Sequence, residues 1–381
     1  MNVQSVDLWT ILIIIALAQG LFVLSLMILK RQVHDHNRFL FALLVTILWF
    51  QAEFLSIRLP FDVGLSIFYG TRYGSWLVVG PLFFLYIQSA TGKALSLKTI
   101  TLHFSPFLLF TILVPLFTSD ILNFRQIHYG MLTPFDAYNK EVSIIQYFYS
   151  GIFIVQYVHL LFYLVLSTRY LNAFELTLKG SYSNYSGESF RWFRATLGLM
   201  YFVLACATLF LVLLFLTEVY RRHLDYIYVL PMSVFVYLIS YKLAGVQWSR
   251  PVAHREVKKY NKSSLRPDEA RSLAGRVVDY FGTSKPYLNN ELRLQDLSSE
   301  LGIPSHHLSQ VFNQELRATF FDFVNNHRIT TAKRLIEEKP AASLLEIAFD
   351  SGFNNKTSFV NAFKKHAGMT PSSYRKQFVL A

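Results

Sequence analysis

Six polar residues, His306, Ser309, Gln310, Lys356, Thr357 and Asn361, lie on the faces left exposed once the apolar positions of two short helical stretches are assigned to a core. Such helices fit the major groove of duplex DNA, where the amides of Gln310 and Asn361 can pair with adenine and Lys356 can donate to guanine. His306 and Ser309 complete the first face, and Thr357 belongs to the second. Lys364, Lys365 and Arg375 suit phosphate contacts, which give affinity and salt dependence without sequence information. Adjacent side chains on a helix point about 100° apart, so the pair His306 and His307 cannot easily chelate one ion. No metal, cofactor or catalytic residue is expected, and glycine boxes for nucleotides are absent.

The elements that carry these residues repeat. LQDLSSELGIPSHHLSQVF, from Leu294, aligns with LLEIAFDSGFNNKTSFVNAF, from Leu344. Leu294 matches Leu344, Leu297 matches Ile347, Gly302 matches Gly352 and Ile303 matches Phe353. After one extra turn residue, Leu308 matches Phe359 and Phe312 matches Phe363. Each copy reads as a short helix, a Gly-containing turn and a second helix, which is the helix-turn-helix pattern. The glycine permits the left-handed backbone that ends the first helix. Ser305 and Asn355 are expected to cap the two second helices. Between the copies, residues Thr319 to Lys339 have no Gly or Pro and read as one connecting helix that fixes the spacing of the units.

The stretch IAFDSGFNNKTSFVNAFKKHAGMTPSSYRK, from Ile347 to Lys376, resembles the DNA-binding domain of the AraC/XylS family of bacterial transcriptional regulators. The matching features are the Ile-Ala pair, Gly352-Phe353, the Ser before Phe359, Phe363-Lys364-Lys365, Gly368, Thr370-Pro371 and Tyr374-Arg375. The resemblance covers roughly residues 268 to 378. It implies base contacts by His306, Ser309 and Gln310 in the first unit and by Lys356, Thr357 and Asn361 in the second, with a target sequence that does not transfer.

The rest of the chain is of another kind. Of 381 residues 53% are hydrophobic and 16% charged, with 35 Phe and 22 Tyr, and mean hydropathy is +0.33. Soluble domains carry about a quarter charged residues, so this chain is expected to lie largely in lipid. From Lys242 onward Lys and Arg outnumber Asp and Glu 21 to 13, so the polar third holds most of the net +12 and suits a polyanionic partner. The lone Cys206 forms no internal disulfide.

Runs long enough to cross a hydrocarbon core of about 30 Å lie near 8–29, 39–57, 73–90, 100–118, 143–166, 194–217 and 226–244. The first follows MNVQSVD, which has no basic residue, and reads as a retained anchor rather than a cleaved signal. Basic residues after the first run (Lys30, Arg31, Arg38), the third (Lys93, Lys98) and the fifth (Arg169, Lys179, Arg191) favour a cytoplasmic side for those loops. Glu53, His103 and His159 fall within spans and are candidates for a sensor pocket. For Glu53 the alternative is an interfacial position or a pairing with Arg58; for the histidines it is helix-to-helix hydrogen bonding. The loop Ser119–Val142 is a candidate ligand mouth, and the basic segment 245–267 a linker near the bilayer. GPLFFLYI from Gly80 and HFSPFLL from His103 resemble the seven-span sensor regions of membrane-bound members of the family. The cupin-like ligand domain of soluble members is absent.

The expectation is an all-α protein: a seven-helix transmembrane bundle (1–244), the linker, and a cytoplasmic AraC-type double helix-turn-helix domain (268–381) with units near 294–316 and 344–366. Expected partners are double-stranded promoter DNA, membrane lipid, an unidentified signal ligand, a second copy of the chain and RNA polymerase. The expected place is the bacterial cytoplasmic membrane, amino terminus outside. The alternative is a receptor or transporter whose basic tail docks another protein.

Overall fold

The computed structural model describes residues 7–30, 33, 37–58, 74–117, 144–184, 188–217, 226–245 and 265–379. The loop Ser119–Val142 and most of the basic linker lie outside the described residues. The chain divides into two units. The first takes in Met1–Tyr170 and Arg191–Glu256, and the second Leu171–Phe190 and Val257–Ala381. All the regular elements among the described residues are helical.

The helices of the first unit are α1 (Leu8–Leu29), α2 (Asn37–Arg58), α3 (Ser75–Ala90), α4 (Leu97–Phe117), α5 (Ile144–Ser181, leaving this unit after Tyr170), α6 (Glu188–Thr217, entering it at Arg191) and α7 (Tyr226–Gly245). Each overlaps one of the apolar runs. Four are long and apolar enough to cross a membrane: Leu8–Leu29, Asn37–Leu55, Phe153–Ser181 and Phe190–Leu213. Ser75–Ala90, Leu97–Ile112 and Tyr226–Tyr241 are shorter apolar segments.

Within this unit α1 packs on α2 and α7, α2 on α3, and α3 on α4. α3 is enclosed, with every residue except Val78 and Ser89 buried. Gly20 and Gly80 allow close helix approaches. A Cβ on Gly80 would come within 2.9 Å of the Tyr163 Cβ, and one on Gly20 would run into the Leu48 side chain. Small residues at such crossings let helix backbones approach closely.

Several polar groups inside the unit are paired between segments. The Tyr226 hydroxyl lies 2.7 Å from Thr10 Oγ1 and donates to Asp7 at 3.0 Å. Gln51 Nε2 donates to Ser233 Oγ at 3.0 Å, and Gln156 Oε1 accepts from the Gly74 amide at 3.1 Å. Meanwhile large apolar side chains face outward, among them Leu8, Phe22, Leu102, Ile112, Val155, Phe162 and Phe202. So broad an exposed apolar surface marks contact with lipid or with other protein.

The second unit is built from α8 (Pro267–Ser284), a 3₁₀ turn (Pro286–Leu288), α9 (Leu294–Leu301), α10 (Ser305–Gln310) with a π turn (Val311–Glu315), α11 (Phe320–Glu338), α12 (Leu344–Asp350), α13 (Lys356–Ala367) and α14 (Pro371–Val379). The end of α5 and the start of α6, within Leu171–Phe190, also belong to it.

Two apolar cores form here. Val277, Phe281, Leu297, Ile303, Leu308, Phe312, Phe320 and Val324 make the first. Ile329, Ala332, Ile336, Ile347, Phe353, Phe359 and Phe363 make the second. The connecting helix α11 lends its amino-terminal half to one and its carboxy-terminal half to the other, so a single rigid rod positions both helix-turn-helix units. Burying one large apolar side chain contributes about 1.5–3 kcal/mol, so each unit depends on this helix.

The turns follow local chemistry. Thr319, Ser343 and Asn355 cap α11, α12 and α13 by accepting from the amides of Asp322, Glu346 and Ser358 at 3.1, 3.1 and 2.8 Å. Thr370 caps α14 through the Ser373 amide at 3.1 Å. Gly302 (φ 66°), Gly352 (φ 90°) and Gly368 (φ 74°) take the left-handed backbone. One expected cap is different. Ser305 is the first helical residue of α10, Pro304 occupies the cap position, and no side chain caps that helix. Proline there sets the extended entry that a hydroxyl cap would otherwise stabilise.

Candidate nucleic-acid interface

The second helix of each unit presents the expected polar face. On α10, His306, Ser309 and Gln310 are half-buried while Leu308 is fully buried, and Val311 and Phe312 in the π turn point to the core. Gln310 Nε2 donates to Gln314 Oε1 at 2.9 Å, and Asn313 Nδ2 to the Ser309 carbonyl at 2.8 Å. These bonds pre-set the first face. The rings of His306 and His307 meet edge to face at 4.2 Å between centroids.

On α13, Lys356, Thr357 and Asn361 are exposed on the side opposite Phe359, Ala362 and Phe363. Lys364 is exposed on the same helix. Lys365 is exposed as well, but its Nζ pairs with Asp322 Oδ1 of α11 at 2.5 Å, so part of its charge is already balanced within the domain. A surface pair of this kind contributes at most about 1 kcal/mol and yields to a phosphate when one arrives. Arg375 on α14 is half-buried, its Nε and Nη2 shielded and without a protein partner. Beside them, burial and then the neighbouring Lys365 push His366 below the usual imidazole range.

α14 is held on α11 by Tyr374, whose hydroxyl donates to Glu337 Oε1 at 2.8 Å. Burial and the Glu337 carboxylate push that phenol up to about 12.

One residue central to this domain carries no DNA-reading chemistry. Arg328, in the middle of α11, is 1% exposed. Its Nε donates to the Tyr287 carbonyl at 2.7 Å and its Nη2 to the Asn289 carbonyl at 2.8 Å. The guanidinium also lies 5.6 Å from the centre of the Phe353 ring. It therefore joins the turn before α9 to the turn between α12 and α13. Burial pushes its pKa down to about 10, so it stays charged at neutral pH. A signal for it existed: Phe320, Val324, Arg328 and Ala332 recur every fourth residue, which puts an arginine in phase with the core.

The sensor candidates fall in the first unit. His103 Nδ1 lies 2.8 Å from the Tyr163 hydroxyl, and the His159 ring 4.9 Å from the Tyr163 ring, so Tyr163 brings the two histidines together. Glu53 on α2 is fully buried. The Arg58 side chain lies outside the described residues. Among the described residues no group of three or more His, Cys, Asp or Glu could hold a metal ion.

Comparison with known proteins agrees with the geometry of the second unit. Residues 297–377 match a family described as a helix-turn-helix domain. The chain is 29% identical over 121 residues to the HTH-type transcriptional regulator GlxA of Rhizobium meliloti, a match that covers 29% of this chain and 37% of that protein. It is 28% identical over 88 residues to the probable transcription factor PqrA of Proteus vulgaris, covering 23% of this chain and 71% of that one. Among solved structures, the C-terminal domain of AraT, a response regulator from Geobacillus stearothermophilus, is 26% identical. That alignment covers 30% of this chain and 88% of that one at a TM-score of 0.25. The carboxy-terminal part of the chain is thus a helix-turn-helix domain of the kind found in HTH-type transcriptional regulators. The matched segment spans well under two thirds of GlxA.

Proposed function

We propose that the protein is a membrane-embedded one-component transcription regulator of the AraC/XylS type. In this reading seven spans sense a signal, and the second unit binds promoter DNA sequence-specifically from the cytoplasm. The observation that carries it is the pair of helix-turn-helix units on one shared helix. Each presents polar side chains suited to base edges, His306, Ser309 and Gln310 on one and Lys356, Thr357 and Asn361 on the other. Lys364, Lys365 and Arg375 serve the phosphates, and the whole activity is binding rather than catalysis.

Two features support the membrane half of the reading. Outward-facing Leu, Ile, Val and Phe side chains suit lipid contact. The connection between α5 and α6 folds into the same unit as the helix-turn-helix domain. If that unit is cytoplasmic, α6 and α7 both cross the bilayer, as an outside amino terminus and seven spans require. Glu53 and the His103–Tyr163–His159 group are the sensor residues in this reading, with a ligand shifting the bundle between two arrangements. A second copy of the chain would pair two readers on DNA, and RNA polymerase would be the recipient of the output.

The test is selection of genomic DNA fragments by the full-length protein in lipid nanodiscs at two salt concentrations. Recovery of a shared sequence, weakened by Gln310→Ala or Asn361→Ala, is the expected result. Failure to enrich any sequence, with the protein folded and dimeric, would favour a receptor whose basic tail docks a protein.

A further inference from the structure

Arg328 is a buried cation whose partners are all neutral. Besides the carbonyls of Tyr287 and Asn289, its guanidinium donates twice to one distant residue. Nη1 reaches the Ser183 carbonyl at 3.1 Å and Nη2 the Ser183 hydroxyl at 3.2 Å. Ser183 lies just beyond the end of α5. It is 1% exposed, and both its amide and its hydroxyl donate to the Leu292 carbonyl, at 3.2 and 2.6 Å. Beside it, Tyr182 forms an isolated antiparallel bridge with Arg293, whose guanidinium sits 5.7 Å from the centre of the Tyr182 ring. The segment is therefore docked by backbone, hydroxyl and aromatic contacts together.

The place where it docks matters more than the number of bonds. The turn 286–293 leads into the first helix-turn-helix unit, and Gly352-Phe353 is the turn of the second. These two turns meet at Arg328. Gly352 is packed so closely there that a Cβ would strike the Tyr287 carbonyl and lie 3.1 Å from Arg328 Nε. α13, the second reading helix, starts three residues after Phe353. Whatever fixes the guanidinium fixes the angle between the two reading helices.

We propose that Ser183 is a positioning residue for DNA recognition: docked at this junction, it completes the hydrogen bonding of Arg328 and holds the two helix-turn-helix units at the angle needed to read two groove segments. Withdrawing Tyr182 and Ser183 leaves a buried cation with unmet donors, so the junction must relax or admit water. Because the segment directly follows α5, a shift of that helix is a route by which DNA affinity is changed. The inference rests on the DNA-binding reading above.

The experiment uses the full-length protein in nanodiscs with Cys206→Ala and the pair Tyr182→Cys and Arg293→Cys. The Ser183 amide bonds to the Leu292 carbonyl, so Tyr182 and Arg293 form the non-hydrogen-bonded type of antiparallel pair. Its Cα atoms lie about 4.5 Å apart, within disulfide range. Mild oxidation is expected to close the bond, read by mass spectrometry against the single-cysteine variants.

The second arm measures binding to chromosomal DNA fragments. Ser183→Ala is expected to weaken it on the order of 3- to 10-fold, the scale of hydrogen bonds to a charged group partly replaced by water. Ser183→Thr is expected to restore most of the loss, and the closed disulfide to restore it in the Ser183→Ala background. DNA must then shift the disulfide toward its closed form at equilibrium in a glutathione buffer, by reciprocity, a response that a merely structural role would not produce.

No closure would overturn the docking. A closed fraction at equilibrium that is indifferent to DNA, with Ser183→Ala binding unchanged, would overturn the positioning role and leave DNA binding intact. Closure without DNA binding by any form would instead overturn the DNA-binding reading, and the positioning role with it.

Discussion

Gly302 and Gly352 occupy the same position in the two repeats, yet the structure gives them different costs on substitution by alanine. Both have positive φ, 66° and 90°, so a side chain adds left-handed strain of about 1–2 kcal/mol at either site. At Gly302 nothing lies within 4 Å of the added Cβ, and the cost ends there. At Gly352 the Cβ meets the Tyr287 carbonyl, the Leu288 Cα at 3.0 Å and Arg328 Nε at 3.1 Å, two of them backbone atoms that cannot swing away. Overpacking of that kind adds about 1–3 kcal/mol, and a disturbed hydrogen bond to a buried cation adds about 1.5 more. Gly352→Ala should therefore cost about 4 kcal/mol or more against about 1–2 for Gly302→Ala. At about 1.4 kcal/mol per tenfold, the difference is on the order of a hundredfold in the unfolding equilibrium constant. Pulse proteolysis of the full-length protein across a urea gradient, with cleavage mapped to the helix-turn-helix region, reads this directly. Equal shifts for the two variants would refute the packing argument and reduce both glycines to backbone effects alone.

The same chemistry predicts the DNA-binding variants. Gln310→Ala and Asn361→Ala should each cost about 1–3 kcal/mol on the selected sequence, and little on unrelated DNA, in mobility-shift titrations. Lys364→Ala should weaken binding to all sequences alike and lower the slope of log affinity against log salt by about 0.9. Lys365→Ala should do less, because Asp322 already engages that charge, and Asp322→Asn should strengthen binding. His327 lies among Phe281, Tyr287 and Phe323, with ring centroids 5.2, 5.3 and 4.8 Å away, and burial lowers its pKa. The unfolded chain then binds more protons, so its stabilising effect is complete above the ordinary imidazole value of 6.5 and is lost as pH falls below it toward the lowered one. Thermal melts from pH 7.5 to 5 should show this loss in the first helix-turn-helix unit, and His327→Phe should remove it.

Much of this was legible because it is local. Leu297, Leu308 and Phe312, with their partners Ile347, Phe359 and Phe363, mark helical faces by spacing alone, and the polar residues between them were necessarily the exposed ones. Gly302 and Gly352 were readable as turns because few other residues adopt that backbone. The connecting helix appears as Phe320–Glu338, with Thr319 as its cap. Each of the seven apolar runs overlaps a helix, since an uninterrupted apolar stretch satisfies its backbone most simply that way. Ser305 misled because a serine after a turn resembles a cap, while the preceding proline had already taken that position.

What the sequence by itself determined is the helical character of the apolar runs, the two helix-turn-helix units with the faces they turn outward, and the helix between them, because those depend on neighbours a few residues away. It also marked, in Arg328, a charge at a core position without saying what would satisfy it. Only the tertiary structure decided that Lys365 is paired with Asp322, that the two histidines converge on Tyr163, and that Arg328 is completed by Ser183, 145 positions earlier in the chain. The physical reason is that a buried guanidinium can donate to any well-placed oxygen. Its partner is therefore chosen by where the folded chain brings a carbonyl and a hydroxyl, and no local pattern around Ser183 records that choice.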